Sequence, residues 1–336
     1  MLLKIATMRA MCFAVIAAVP MRTAAAEEFD VVVTIAPVHS LAASIMEGVG
    51  EPKLLLGGGA SAHTYSMKPS DAKALQKARV IVQVSDAYEV FLQKALKTLP
   101  KNASVITLDE VAGMDLLPVR EGGNFEEHED ERDSHDHGKK KAGKHDEHDH
   151  GGKKAKGADS HEEHGDHDVH IWFDPQNAMM IVDALAAEFS KAAPEHAAAL
   201  SANAAKTREK LKALDSEIAS LLEPVRKKPF IVFHDVVQYF EKRYDVTAVG
   251  AVTLSPERQP SAKRLKEVRA KVASLGAACV FAEPQFSPKL VDTIISGTQA
   301  KKGTLDEIGV GLKPGPDLYF EFIRANAKSL RDCLGS

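Results

Sequence analysis

From residue 29 onward, short apolar runs alternate with stretches whose apolar positions recur every three or four residues. The run FDVVVTIA predicts a strand over 29–36, followed by a helix over 37–46. Further strands are predicted over 52–56, 79–84 and 104–108, with helices over 69–78 and 88–99. The second half repeats the alternation. It predicts strands over 230–233, 246–252, 279–282 and 304–308, and helices over 236–244, 261–275, 287–298 and 318–330. Uninterrupted apolar strands alternating with amphipathic helices imply parallel sheets covered on both faces. Between the halves, 170–173 reads as a short strand or strand end, and 175–191 as a helix. A much longer helix runs over 194–222, with Ala204, Thr207, Leu211, Leu214, Ile218 and Leu221 in steps of three and four. At 1.5 Å per residue it reaches about 43 Å, more than one small domain needs. The expected fold is therefore α/β, with two lobes, each a mainly parallel sheet flanked by helices, joined by one long rigid helix.

Two segments break the pattern. Lys4 and Arg9 precede a short apolar run, AMCFAVIAAVP, and Ala24, Ala25 and Ala26 stand before Glu27. This is the layout of a cleavable signal peptide over 1–26. The run is too short to span a bilayer. No later stretch reaches the length of a membrane helix, so the mature chain is expected to be exported and not to cross a membrane. The second break is the segment 121–168, where charged residues, glycine and histidine replace the apolar pattern. Such a stretch cannot bury enough surface to offset its ordering entropy, and reads as a disordered surface insertion. The expected organisation is an N-terminal lobe over 27–193 carrying that insert, the linking helix over 194–222, and a C-terminal lobe over 223–336.

Composition narrows the function. The 336 residues are 44% hydrophobic and 27% charged, as in ordinary globular chains. With 43 basic against 47 acidic residues the net charge is -4, so no basic field supports nucleic-acid binding. Once Cys12 leaves with the signal peptide, Cys279 and Cys333 remain. An even pair in an oxidising compartment points to one disulfide, the alternative being two buried thiols.

The 14 histidines carry the chemistry. His128, His135, His137, His145, His148, His150, His161, His164 and His167 lie in the insert. Interspersed with carboxylates, they are candidates for weak, geometrically unconstrained metal binding; an inert solvated linker is the alternative. His39 sits inside a predicted helix and His196 at the start of the long one. His63, His170 and His234 share a different context, at or beyond predicted strand ends. Open α/β sheets place their ligand sites there. Three imidazoles from separate strand ends suit a transition metal, and three histidines plus water form an open zinc set. Singly, each could equally be a hydrogen-bonded core or rim residue. Asp168, Asp174 and Asp235 are candidates for orienting these imidazoles; Asp235 could instead cap the helix after it.

The segments GGGASAHTYSMKPSDAKAL, DVHIWFDPQNA, FIVFHDVVQYFEKRYDV and CVFAEPQFSPKLVDTI resemble those of the zinc-binding periplasmic components of ABC transporters, the ZnuA-type metal-specific solute-binding family. The resemblance covers essentially the whole mature chain, including the long helix and the histidine-rich insert. It implies that His63, His170 and His234 are the metal ligands. It implies zinc, because manganese-binding relatives place a carboxylate at the third position. Some zinc members have Glu before the first histidine, where this chain has Ala62. That leaves the fourth ligand to water or, as a lesser candidate, Glu283. The function implied is high-affinity Zn²⁺ capture in the periplasm and delivery to an ABC-type membrane permease, by a monomer that is not an enzyme. A periplasmic zinc buffer or chaperone, and a zinc hydrolase, are the alternatives.

Overall fold

The architecture comes from a computed structural model, which describes residues 29–100, 103–120, 167–256, 259–274, 276 and 278–336. The expected signal peptide over 1–26 lies outside the described residues. So does the insert apart from His167 and Asp168.

The first lobe runs β1 (Val31–Val33), α1 (Ala36–Ile45), β2 (Lys53–Leu54), α2 (Pro69–Lys77), β3 (Val80–Gln83), α3 (Gln93–Leu96) and β4 (Ser104–Thr107). Then α4 (Pro175–Ala192) leads into α5 (Ala197–Leu222). Single 3₁₀ turns at both ends of α5 extend its rod over 194–225. The second lobe runs β5 (Pro229–Val232), α6 (Gln238–Tyr244), β6 (Thr247–Ala251), α7 (Ala262–Ser274), β7 (Cys279–Ala282), α8 (Lys289–Ile295), β8 (Lys301–Thr304) and α9 (Leu318–Leu334). Each lobe holds one four-stranded parallel sheet, ordered β2-β1-β3-β4 and β6-β5-β7-β8.

Burial explains the strands. Val31, Val32 and Val33 in β1 and all four residues of β3 and β7 are buried, as a sheet covered on both faces requires. One apolar core runs from β1 and α1 through α4 and α5 into β5, α6 and α9, so the lobes share it. A second, smaller core covers the other face of the second sheet, around Ile231, Val249, Val268, Val280 and Val291. On α5 the core side is Leu200, Ala204, Thr207, Leu211, Leu214, Ile218 and Leu222, with Leu222 rather than Leu221 completing the stripe. Cys279 in β7 and Cys333 in α9 form a disulfide with Cα atoms 6.2 Å apart.

Three expected elements differ. Residues 88–99 do not form one helix. A 3₁₀ turn over Val90–Leu92 precedes the short α3, because Glu89 turns inward to accept hydrogen bonds from the Val84 and Ser85 amides. His170 is not on a strand; it caps a 3₁₀ turn over Ile171–Phe173. The last strand lies at Lys301–Thr304 rather than 304–308. It is an exposed edge strand with two lysines, so it carries no apolar run to read. Its Gly303 lies against the Phe281 ring, where an added Cβ would come within 2.3 Å of the ring. Among the described residues, no helix is long and apolar enough to cross a membrane.

Candidate metal centre

Four loops meet between the lobes. After β2, a glycine-rich loop carries His63 on a 3₁₀ turn, Ala62–Thr64. His170 enters just ahead of α4, whose start is fixed by Pro175 and by the Asp174 carboxylate accepting from the Gln176 amide at 2.7 Å. His234 follows β5 directly. Glu307 lies beyond the carboxyl end of β8.

The three imidazole centroids stand 6.1 Å (His63–His170), 5.7 Å (His63–His234) and 5.6 Å (His170–His234) apart. One donor atom from each histidine and one from the Glu307 carboxylate all fall within 4.8 Å of one another. His63 Nε2 is 3.8 Å and His170 Nε2 is 3.7 Å from Glu307 Oε1. A tetrahedral zinc with 2.0–2.1 Å bonds needs ligand atoms about 3.4 Å apart. His170 Nε2, His234 Nε2 and Glu307 Oε2 are buried and have no hydrogen-bond partner. Buried polar atoms are normally paired, so this convergence of unpaired nitrogen and oxygen atoms fits a cation that would take the place of any imidazole proton between them.

The outer nitrogens are held. His170 Nδ1 donates to Asp168 Oδ1 at 2.7 Å, and the same oxygen accepts the His170 amide at 2.9 Å. His234 Nδ1 stands 2.7 Å from Glu283 Oε1, which also accepts the His234 amide. Glu307 accepts from the Tyr88 hydroxyl at 2.7 Å, while its backbone carbonyl accepts from Trp172 Nε1 at 2.9 Å. Asn326 in α9 bonds both the amide and the carbonyl of Asp306, fixing the backbone ahead of Glu307.

The charges are coupled. Burial pushes His234 down to about 3, and the neighbouring His170 and His63 push the same way against Glu307. Burial would also lower His170, but Asp168 and Glu307 more than reverse it, to about 9. Burial would raise Glu307, yet the three imidazoles and Tyr88 hold it below the usual carboxylate range. Glu283 goes well above that range through burial and the nearby Glu307 charge. A divalent cation would offset this crowding of buried carboxylates.

The sequence matches the family described as zinc-uptake complex component A, periplasmic, over residues 31–333. The chain belongs to the ZnuA family. The high-affinity zinc uptake system protein ZnuA of Brucella abortus (strain 2308) is 48% identical over 317 residues, covering 92% of this chain and 93% of that protein. Its counterpart in Haemophilus ducreyi is 37% identical over 305 residues, covering 91% and 93%. The fold superposes on a crystal structure of ZnuA with TM-score 0.70 at 22% identity, covering 91% of this chain and 99% of that one. It superposes on Pseudomonas aeruginosa FpvC in complex with Mn²⁺ with TM-score 0.71 at 19% identity, covering 91% and 98%.

Within this ZnuA-family frame, the structure brings His63, His170 and His234 together. A fourth donor atom in their group comes from Glu307, which the sequence reading does not name. Glu283 is occupied behind His234. The reading missed Glu307 because it sits inside the strand expected over 304–308. The available signal was an acidic pair, Asp306 and Glu307, ahead of Gly309 and Gly311 after the last strand. Of the three orienting candidates only Asp168 turns to a histidine of the group. Asp174 caps α4, and Asp235 neither caps α6 nor touches His234's ring but binds Arg120. His167 belongs to the ordered part: its Nε2 lies 3.0 Å from Asp109, and it bridges Pro118. The other insert histidines, from His128 to His164, lie outside the described residues.

Proposed function

We propose that this chain captures Zn²⁺ between its lobes with His63, His170, His234 and Glu307 and releases it to the permease of an ABC-type zinc transporter. The convergence of three imidazoles and one carboxylate from both lobes, with buried donor atoms unpaired, carries this reading. With zinc bound, Asp168 and Glu283 accept the Nδ1 protons of His170 and His234, which turns both Nε2 lone pairs inward. Three histidines rather than two favour zinc over a harder ion. Four protein donors leave no corner for an activated water, so the centre holds the ion rather than hydrolysing with it. The family places the work in the periplasm. A signal peptide cut after Ala26 and a monomeric mature chain complete the proposal.

Competition titration of the mature chain against a zinc chelator tests it. Replacing His63, His170 or His234 by Ala should each weaken binding roughly a thousandfold, about 4 kcal/mol at 1.4 kcal/mol per tenfold. Glu307→Gln should weaken it less, since an amide oxygen can still ligate. Unchanged affinity in the histidine variants sinks the proposed site. Deleting 121–166 should leave one tight site; losing it would favour a buffer built on the insert.

A further inference from the structure

The residues leading into the insert cross from one lobe to the other. Pro118 bridges His167, and the Asp168 amide donates to the Leu117 carbonyl at 2.8 Å, so the two flanks of the insert pair as a short stem. That stem lies on α6 of the second lobe. The buried Tyr239 hydroxyl accepts from the Leu117 amide at 3.1 Å and donates to the Asp168 carbonyl at 2.6 Å. At the end of the stem, Arg120 Nε donates to Asp235 Oδ2 at 2.8 Å and Nη2 to Asp235 Oδ1. Nη2 also donates to Glu241 Oε2 at 2.6 Å, and the other oxygen of Glu241 accepts the Ala248 amide in β6. The Arg120, Asp235 and Glu241 side chains are largely buried.

We infer that Arg120 is a positioning residue for zinc capture, acting through Asp235 on the turn that carries His234. The inference rests on the metal site proposed above. Asp235 follows His234 in the chain, and Arg120 lines the same cleft as the three histidines. The stem thereby reaches both lobes' imidazoles: His170 through Asp168, and His234 through Asp235. A guanidinium fork fixes a carboxylate's orientation as well as its distance, which an ammonium cannot do. Arg120 also neutralises Asp235, and the two roles predict opposite results. Losing the hold lets the His234 turn move and speeds zinc release. Losing only the counter-charge leaves a bare carboxylate near the ion and slows release. The holding role dominates, because Asp235 touches the site through the backbone of His234 rather than as a ligand.

The test measures zinc release from the full exported chain into excess chelator, together with the visible d–d absorption of the Co²⁺-loaded protein. Arg120→Gln should release zinc roughly tenfold faster, the lower end of what supporting residues of metal ligands cost, and should weaken or shift the cobalt band. Arg120→Lys should restore only part of both. Asp235→Asn, which keeps the Glu241 arm, should move both readouts in the same direction. Release and spectrum like the parent chain in Arg120→Gln and Asp235→Asn, or slower release in Arg120→Gln, would overturn the inference. If circular dichroism shows Arg120→Gln unfolded, Asp235→Asn decides alone. His234→Ala is the control. Parent-like release there removes the metal site itself, a failure distinct from that of the Arg120 role.

Discussion

The two lobes repeat one strand order, the second strand lying outside the first, and the third and fourth on its other side. They present their donor atoms differently. In the first lobe His170 is held by Asp168, two residues earlier in the chain. In the second lobe His234 follows β5 and is held by Glu283 at the end of neighbouring β7, 49 residues away. Glu307 depends on Asn326 in α9 through the backbone of Asp306. One half of the site is built by local sequence and the other by the sheet and the last helix. Damage to tertiary packing should therefore reach the second lobe's donors first.

The disulfide sets the largest test of that asymmetry. It joins β7, which leads to Glu283, to α9, which carries Asn326. Both supports of the second lobe thus share one covalent tie. Replacing Cys279 and Cys333 together by Ala should cost about 2–4 kcal/mol of unfolding free energy. Urea denaturation of the metal-free protein measures it. In the same variant, hydrogen exchange should rise around β7 and α9 and stay unchanged around β1 and β3. Equal gains in both lobes would break the comparison.

A smaller effect separates the two orienting carboxylates. Asp168→Asn and Glu283→Gln should each weaken zinc binding about 10- to 100-fold, as loss of a ligand's supporting partner does. They should differ in reach. Asp168 acts within one turn, so its loss should perturb the ring and amide resonances of His170 and little beyond them. Glu283 also accepts the His234 amide at the end of β5, so its loss should spread along β5 and β7. Proton–nitrogen spectra of the metal-free variants read this, and identical spreading in both would remove the local-versus-sheet distinction.

The same contrast governs what the sequence revealed. The continuous apolar runs of β1, β3, β5 and β7 are legible because parallel strands covered on both faces must be apolar throughout. His63, His170 and His234 are legible because they stand beside such runs. β8 is not, since KKGT at an exposed edge has no apolar period. Misplacing that edge by three residues hid Glu307 inside a strand. The pairing of Glu283 with His234 was equally out of reach, because it requires the order of strands in the sheet and not their positions in the chain. Arg120 stood at the border of the insert, where composition alone gives no sign of a cross-lobe contact.

The last contrast is one of pH, in a pair of buried carboxyls, one per lobe. Burial pushes both Glu89 and Glu241 up to about 7. Glu89 accepts from the Thr34 hydroxyl at 2.6 Å and from the Val84 and Ser85 amides at 3.0 Å. Glu241 accepts instead from the Arg120 guanidinium. An unfolded carboxyl titrates near 4.5. Between that value and about 7 the folded chain keeps a proton that the unfolded chain has lost. The contribution of Glu89 is therefore fully present below pH 4.5 and disappears as pH rises through 7. Glu89→Gln cannot titrate, so relative to the parent its urea midpoint should fall less between pH 4.5 and 7, beneath a constant offset from the lost acceptor. Histidines that titrate in this window cancel in the difference. Glu241→Gln should show the same flattening plus a loss at every pH, because an amide nitrogen replaces one of the two oxygens that accept from Arg120 and from the Ala248 amide. Metal-free protein in chelator is the sample for both. A Glu89→Gln slope equal to the parent's would mean that Glu89 stays ionised, with the hydroxyl and amide donors outweighing burial.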